Sequence, residues 1–164
     1  MMSPVLEQDR AKTATSELPL VLVVDDEPSI LTAIQRTLKS MPLRLQVVDS
    51  ATEAIAFLHD HEVAVVVSDH MMPGMTGLEL LALVRQNWPR CVAIMVTACG
   101  DIRLAADLVN RHLVHGLLPK PWTAEVMRQA VAEALDVWRE AAGAPQSMAE
   151  GQAEFLRAQA TRAV

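Results

Sequence analysis

From residue 20 onward, short runs of β-branched and aliphatic residues alternate with longer segments in which apolar positions recur every three or four residues. The short runs fall at 20–24, 43–48, 63–68, 91–97 and 114–118; the helix-period segments fall at 28–40, 51–60, 77–87, 101–112 and 123–141. Strand-length runs separated by helices of this size predict repeated βα units feeding one sheet. The run Val-Ala-Val-Val-Val at 63–67 is apolar on both faces, as expected of a central parallel strand covered from both sides. The expected fold class is α/β, a five-stranded doubly wound parallel sheet with helices on both faces. Helix edges carry signals of their own. Pro28 suits a first turn, Thr123 suits a cap, and Pro89 ends the third helical segment. In the last segment Met127, Val131, Ala134, Leu135 and Trp138 lie on one face and predict the stripe that seats this helix on the sheet.

The chain has 164 residues, of which 51% are hydrophobic and 21% charged, enough for one ordinary domain with a core of its own. Residues 1–18 are polar and without period and read as a leader, 19–141 as the domain, and 142–164 as an Ala/Gln-rich tail. In that tail Ser147 and Glu150 have capping-box spacing and Gly151 weakens any helix beyond it. The formal net charge of −6, with no basic run, argues against direct binding to nucleic acid, whose affinity comes largely from phosphate neutralisation. No apolar stretch approaches the roughly 20 residues of a spanning helix, and no signal peptide is readable, so a cytoplasmic address is expected. Cys91 and Cys99, separated along an expected strand by roughly 26 Å, are expected to be reduced thiols.

Ligands of open parallel sheets bind beyond the carboxyl ends of the strands, so the residues just after each run hold the candidate chemistry. Asp25 and Asp26 follow the first run and Asp69 the third. With the strand order 2-1-3-4-5 common to five-stranded doubly wound folds, these two runs are neighbours and three carboxylates converge. Three anions so close raise one another's pKa unless a cation balances them, and a hard, oxygen-seeking ion such as Mg²⁺ is the usual answer. Thr97 closes the fourth run, and Lys120 follows the fifth in the order Pro119-Lys120-Pro121, where a cis peptide aims the amine inward. A carboxylate with a metal on one side and a hydroxyl and an ammonium on the other is what an aspartyl phosphate requires.

Val-Val-Asp-Asp-Glu-Pro at 23–28, Ser-Asp-His-Met-Met-Pro-Gly-Met-Thr-Gly at 68–77, Val-Thr-Ala at 96–98 and Leu-Pro-Lys-Pro-Trp at 118–122 resemble the receiver domain of two-component response regulators. The resemblance covers about residues 20–140 and implies a CheY-like, flavodoxin-like sheet. It further implies that Asp69 accepts a phosphoryl group from a phosphohistidine on a sensor histidine kinase or histidine phosphotransfer protein. Mg²⁺ would be held by Asp26, Asp69 and the backbone carbonyl of Met71, with Asp25 contributing directly or through water. Thr97 and Lys120 would bind the phosphoryl oxygens. The resulting switch would act on a downstream protein partner, or a second copy, through the fourth helix, fifth strand and fifth helix.

The chain departs from that family at three positions. Leu117 stands where such receivers commonly carry Tyr or Phe, with Trp122 as an alternative reporter; Lys-Pro-Trp resembles receivers attached to cyclic-dinucleotide phosphodiesterases and some transcription activators. Met71 and Cys99 occupy the positions that resemble tuners of dephosphorylation, and neither orients water, so slow loss of the phosphoryl group is expected. The expected function is a switch rather than an enzyme. The competing reading, an aspartyl-phosphate phosphatase on the same fold, usually wants an acid where Met71 stands. A flavin or nucleotide site is opposed by Asp25-Asp26-Glu27, which puts negative charge where phosphate would sit. His70, His59 and His61 are expected at the surface, and the methionines at 71, 72 and 75 as packing. Either a single-domain regulator or a piece that ends inside a linker fits the tail.

Overall fold

The computed structural model describes residues 18–98 and 102–143. Five strands, β1 (Leu20–Val24), β2 (Arg44–Val48), β3 (Val65–Asp69), β4 (Val92–Ala98) and β5 (Gly116–Lys120), alternate with α1 (Pro28–Leu38), α2 (Ala51–Asp60), α3 (Gly77–Asn87), α4 (Ile102–Asn110) and α5 (Ala124–Gly143). Every strand pair is parallel and the order is β2-β1-β3-β4-β5, the doubly wound order expected from the sequence.

The period of two along the strands divides the core. Val21 and Val23 of β1, Val65 and Val67 of β3, and Val92, Ile94 and Val96 of β4 face α1 and α5, where they meet Leu31, Ile34, Met127, Val131 and Leu135. Leu22, Val24, Val66, Ala93 and Met95 face the opposite layer, packing with Ala54 and Leu58 of α2, Leu80, Leu81 and Val84 of α3, and Leu104 and Leu108 of α4. All five residues of β1 and of β3 are buried, which explains their unbroken apolar runs. The stripe of α5 is buried from Met127 through Leu135, with Trp138 packed beside it.

Three helix starts have a local cause. Pro28 opens α1, the Ser50 hydroxyl accepts the Glu53 N–H at 3.2 Å, and Thr123 Oγ1 accepts the Val126 N–H at 3.2 Å. A full capping box opens α3, Thr76 with Glu79. The fifth run is offset from its strand by two residues at each end, and β3 starts at Val65 rather than at 63 and ends one residue beyond the expected run, at Asp69. Leu113 and Val114 are apolar because they pack on the core, while β5 begins at Gly116 opposite Ile94 and runs through Pro119 to Lys120. An edge strand accommodates proline because its outer side needs no ladder donor. Lys120 is thus the last residue of β5 rather than a residue beyond its end, and Asp69 is the last of β3, paired with Val96. The leader 1–17, Cys99 and the tail from 144 onward lie outside the described residues, and α5 continues to Gly143, past the expected boundary at 141.

β5 is fastened at its start by His115. Its backbone N–H donates to Ala93 O at 2.8 Å, and its Nδ1 accepts the Ala93 N–H at 3.2 Å. Nδ1 must be unprotonated to accept, so acid breaks this bond. Burial, and then the Arg85 charge, hold the imidazole below its ordinary value of 6.5. A folded-state pKa below the unfolded one means that the stability contributed by His115 is full above about pH 6.5 and is lost as pH falls through the depressed value. Urea midpoints between about pH 7.5 and 5.5 should fall more for the parent chain than for His115→Gln; equal slopes in the two proteins would refute the assignment.

Candidate functional site

The carboxyl ends of β1, β3, β4 and β5 meet at one edge of the sheet. Asp25 follows β1 directly, its backbone N–H bonded to Val48 O at 3.2 Å. Its Oδ1 accepts the Glu27 N–H at 2.9 Å, a short turn that folds the carboxylate back over the strand end. Asp69 ends β3, and the next residue continues the ladder, His70 N–H donating to Val96 O at 3.1 Å. Ser68 Oγ donates to Asp69 O at 2.9 Å and is fully buried. Asp25 and Asp69 are buried and Asp26 is half-buried.

Carboxylate oxygens of Asp25, Asp26 and Asp69 all lie within 4.8 Å of one another. Lys120 reaches inward from the sheet edge past β4, its Nζ 3.0 Å from Asp69 Oδ1 and 3.8 Å from Asp25 Oδ2. The Lys120–Pro121 peptide is cis. Burial disfavours the charged amine, but the hydrogen bond to Asp69 and the charges of Asp69, Asp25 and Glu27 outweigh it, and the ammonium is held above its ordinary range. Asp25 is pushed up from 3.8 chiefly by burial, with the Asp69 and Asp26 charges adding to it against the Glu27 N–H and Lys120. One ammonium thus faces three carboxylates. The set is all oxygen, clustered and under-neutralised, and so fits a hard divalent cation such as Mg²⁺.

That imbalance has a measurable sign. A raised folded-state pKa means that the favourable contribution of Asp25 is full below its ordinary value and lost as pH rises through the folded one, so at neutral pH the ionised group weakens the fold. Asp25→Asn keeps the acceptor for Glu27 N–H and removes the charge. It is expected to raise stability in metal-free buffer by about 1 kcal/mol and to reduce the further gain on adding Mg²⁺. Paired urea titrations with and without the ion check both; an unchanged response to Mg²⁺ would place the ion elsewhere.

Thr97, the penultimate residue of β4, is buried and lies in register with Pro119 on β5. Met71 is 71% exposed on the loop after β3, whereas Met72 is buried in the core and Met75 packs against it; packing therefore accounts for two of the three methionines. His70 corrects the expectation of loop exposure: it is half-buried, and its buried Nδ1 has no hydrogen-bond partner among the described residues. His59 and His61 are exposed, one set edge-on against Trp88 and the other stacked on Phe57. Cys91 is a buried free thiol, its pKa raised by burial to about 12.

Gly77 is the site residue whose role could not be read from the sequence. A Cβ there would overlap Asp69 O, and would lie 2.8 Å from His70 Cα and 2.9 Å from Asp69 C. Its N–H donates to His70 O at 2.8 Å, so the start of α3 is pressed against the backbone that carries Asp69. In the sequence Gly77 shows only as the last residue of the motif at 68–77. No helix among the described residues is long and apolar enough to cross a membrane.

A family model described as the response regulator receiver domain matches residues 21–132. The hydrogenase transcriptional regulatory protein HoxA of Cupriavidus necator is 37% identical over 116 residues, covering 71% of this chain and 24% of that protein. The DNA-binding transcriptional regulator NtrC of Salmonella typhimurium is 31% identical over 121 residues, covering 74% of this chain and 26% of its own length. The chain therefore spans about a quarter of the length of the curated relatives it matches. The solved signal receiver domain of an HD domain-containing protein from Pseudomonas fluorescens superposes with a TM-score of 0.72 at 31% identity, over 77% of this chain and 93% of that one. The signal receiver domain of a putative LuxO repressor protein from Vibrio parahaemolyticus gives 0.70 at 27%, over 74% and 93%. With its strand order and the match over most of its described length, this chain belongs to the response regulator receiver domain family.

Proposed function

We propose that the chain is a phosphorylation-controlled switch in which Asp69 is the phosphoacceptor. The observation that carries this reading is the pairing of Asp69 Oδ1 with Lys120 Nζ at 3.0 Å beside two further carboxylates. An Asp69 oxygen attacks the phosphorus of a phosphohistidine on a sensor histidine kinase or phosphotransfer protein. The new P–O bond forms as the P–N bond breaks, and the departing imidazole keeps the electron pair and takes up a proton. Asp26, Asp69 and the Met71 carbonyl, with Asp25 directly or through water, would hold Mg²⁺, which would supply neutralisation of phosphoryl charge. Lys120 follows the oxygen it meets on transfer, and the Thr97 hydroxyl donates to another. The phosphoryl group stays on the chain after transfer, so the chain acts by binding rather than turnover.

Phosphorylation of Asp69 moves the negative charge that Lys120 meets from the carboxylate to the phosphoryl oxygens and so re-aims the ion pair that reaches it from β5, which is the physical route from chemistry to surface. The altered face is built from α4, β5 and α5 and engages a protein partner or a second copy; the net charge of −6 disfavours direct contact with nucleic acid. Incubation with acetyl phosphate and Mg²⁺ followed by intact-mass measurement tests the chemistry. One added phosphoryl group is expected, dependent on Mg²⁺ and missing in Asp69→Ala; a phosphoryl group retained in that variant would overturn the assignment.

A further inference from the structure

Val65, Val66 and Val67 of β3 are followed, without any gain in exposure, by a serine. Ser68 is 0% exposed and lies in register with Val24 of β1 and Met95 of β4, which are buried to the same degree. A hydroxyl sealed among aliphatic neighbours costs free energy that an alanine would not, unless the hydroxyl is paired. The transfer step at Asp69 leaves this hydroxyl unused.

Its partner is the backbone of the phosphoacceptor itself, Oγ donating to Asp69 O at 2.9 Å. The peptide unit between Asp69 and His70 is also held at its other end, where His70 N–H donates to Val96 O at 3.1 Å. With carbonyl and amide both bonded, a planar unit cannot tip about the line joining its two Cα atoms. Tipping is the motion that changes ψ of Asp69 and φ of His70 together, and it would redirect the chain that follows. The next unit is tied as well, His70 O accepting the Gly77 N–H at 2.8 Å. The carbonyl after that belongs to Met71.

We propose that Ser68 is a positioning residue whose buried hydroxyl locks the peptide between Asp69 and His70 and so fixes the Met71 carbonyl relative to the Asp69 carboxylate. These are two of the groups assigned to Mg²⁺ under the reading of Asp69 as phosphoacceptor, on which this role rests. Mg²⁺ demands a near-ideal octahedral arrangement of its ligands, whereas Ca²⁺ accepts irregular ones. A loosened peptide therefore penalises the smaller ion selectively. That selectivity separates positioning from general support of the fold, which would affect both ions alike.

Ser68→Ala, which removes the hydroxyl, and Ser68→Thr, which keeps it, test this role beside the parent chain. Calorimetric titration should show Mg²⁺ held about tenfold more weakly by Ser68→Ala, the loss expected when a group that orients a metal ligand is removed. Ca²⁺ should weaken by less than about threefold, and Ser68→Thr should bind both ions as the parent does. In metal-free buffer the His70 and Gly77 amides should exchange about tenfold faster in Ser68→Ala, while those of Val66 and Ile94 keep the parent rate.

Unchanged Mg²⁺ affinity in Ser68→Ala overturns the proposal. Equal losses for the two ions, or exchange accelerated throughout β3, also overturn it, because the hydroxyl would then only support the strand. A threonine variant with the parent's urea midpoint but the alanine variant's Mg²⁺ affinity does the same. Phosphorylation of the parent by acetyl phosphate, read by mass, reports separately on the functional reading. Its failure removes the role of Asp69, whereas a phosphorylated, Mg²⁺-binding parent with an indifferent Ser68→Ala removes only that of Ser68.

Discussion

Gly77→Ala is expected to lower the unfolding free energy by about 3 kcal/mol and to slow phosphorylation of Asp69 by acetyl phosphate. The added methyl meets main chain rather than a side-chain end: it overlaps Asp69 O and sits within 2.9 Å of Asp69 C and His70 Cα. Main chain here cannot retreat, because His70 N–H is bonded to Val96 O and Ser68 Oγ holds Asp69 O. Either α3 lifts off the sheet, uncovering Leu80 and Leu81, or the end of β3 shifts and carries Asp69 away from Lys120. Gly74→Ala separates this effect from backbone preference. Gly74 has φ +79° with open space around it, so alanine there should cost only about 1 kcal/mol through the left-handed conformation. Urea denaturation of the two variants side by side decides the matter, and near-equal losses would mean that the close approach at Gly77 has no energetic consequence.

For Lys120→Met the expected result depends on the buffer. Without divalent ions the variant should be about 2 kcal/mol less stable than the parent. Asp25 and Asp69 then confront each other without a counter-charge, and the 25% exposure of the lysine side chain leaves this well below the 3–5 kcal/mol of a fully buried broken pair. With Mg²⁺ the sign of the change in binding reverses. The ammonium and a divalent cation compete for the same carboxylates, so removing the ammonium should tighten Mg²⁺ about tenfold, or ~1.4 kcal/mol. Calorimetric titration of Mg²⁺ into both proteins reads the second effect and urea midpoints the first. Weaker Mg²⁺ binding in Lys120→Met would show that the lysine helps to assemble the carboxylate cluster rather than opposing its charge.

Burial on both faces made the central strands legible: the run at 63–67 predicts a covered parallel strand and overlaps β3 from Val65 onward, while the strand order came from the fold class. Polar residues stationed just beyond those runs then marked the end of the sheet that carries the chemistry. Two kinds of information were out of reach. Register depends on partners distant in sequence, which is why the fifth run, expected over 114–118, enters β5 only at Gly116, Val114 being apolar for the sake of packing, while Pro119 and Lys120, expected beyond the run, lie within the strand. Close approach between main chains leaves almost no trace in a sequence, so Gly77 passed as part of a motif until its neighbours were visible. The half-buried ring of His70 belongs to the same class, since its neighbour Asp69 closes the strand and the loop after it turns at once toward α3.

The two fastenings of the outermost strand are of different kinds. One end is clasped by a backbone amide seated on a neutral imidazole, the other by an ammonium drawn toward carboxylates. Acidification therefore frays this strand from residue 116 forward, and salt or a competing cation frays it from residue 120 backward, so a single ribbon can be peeled from either end by a different solvent variable.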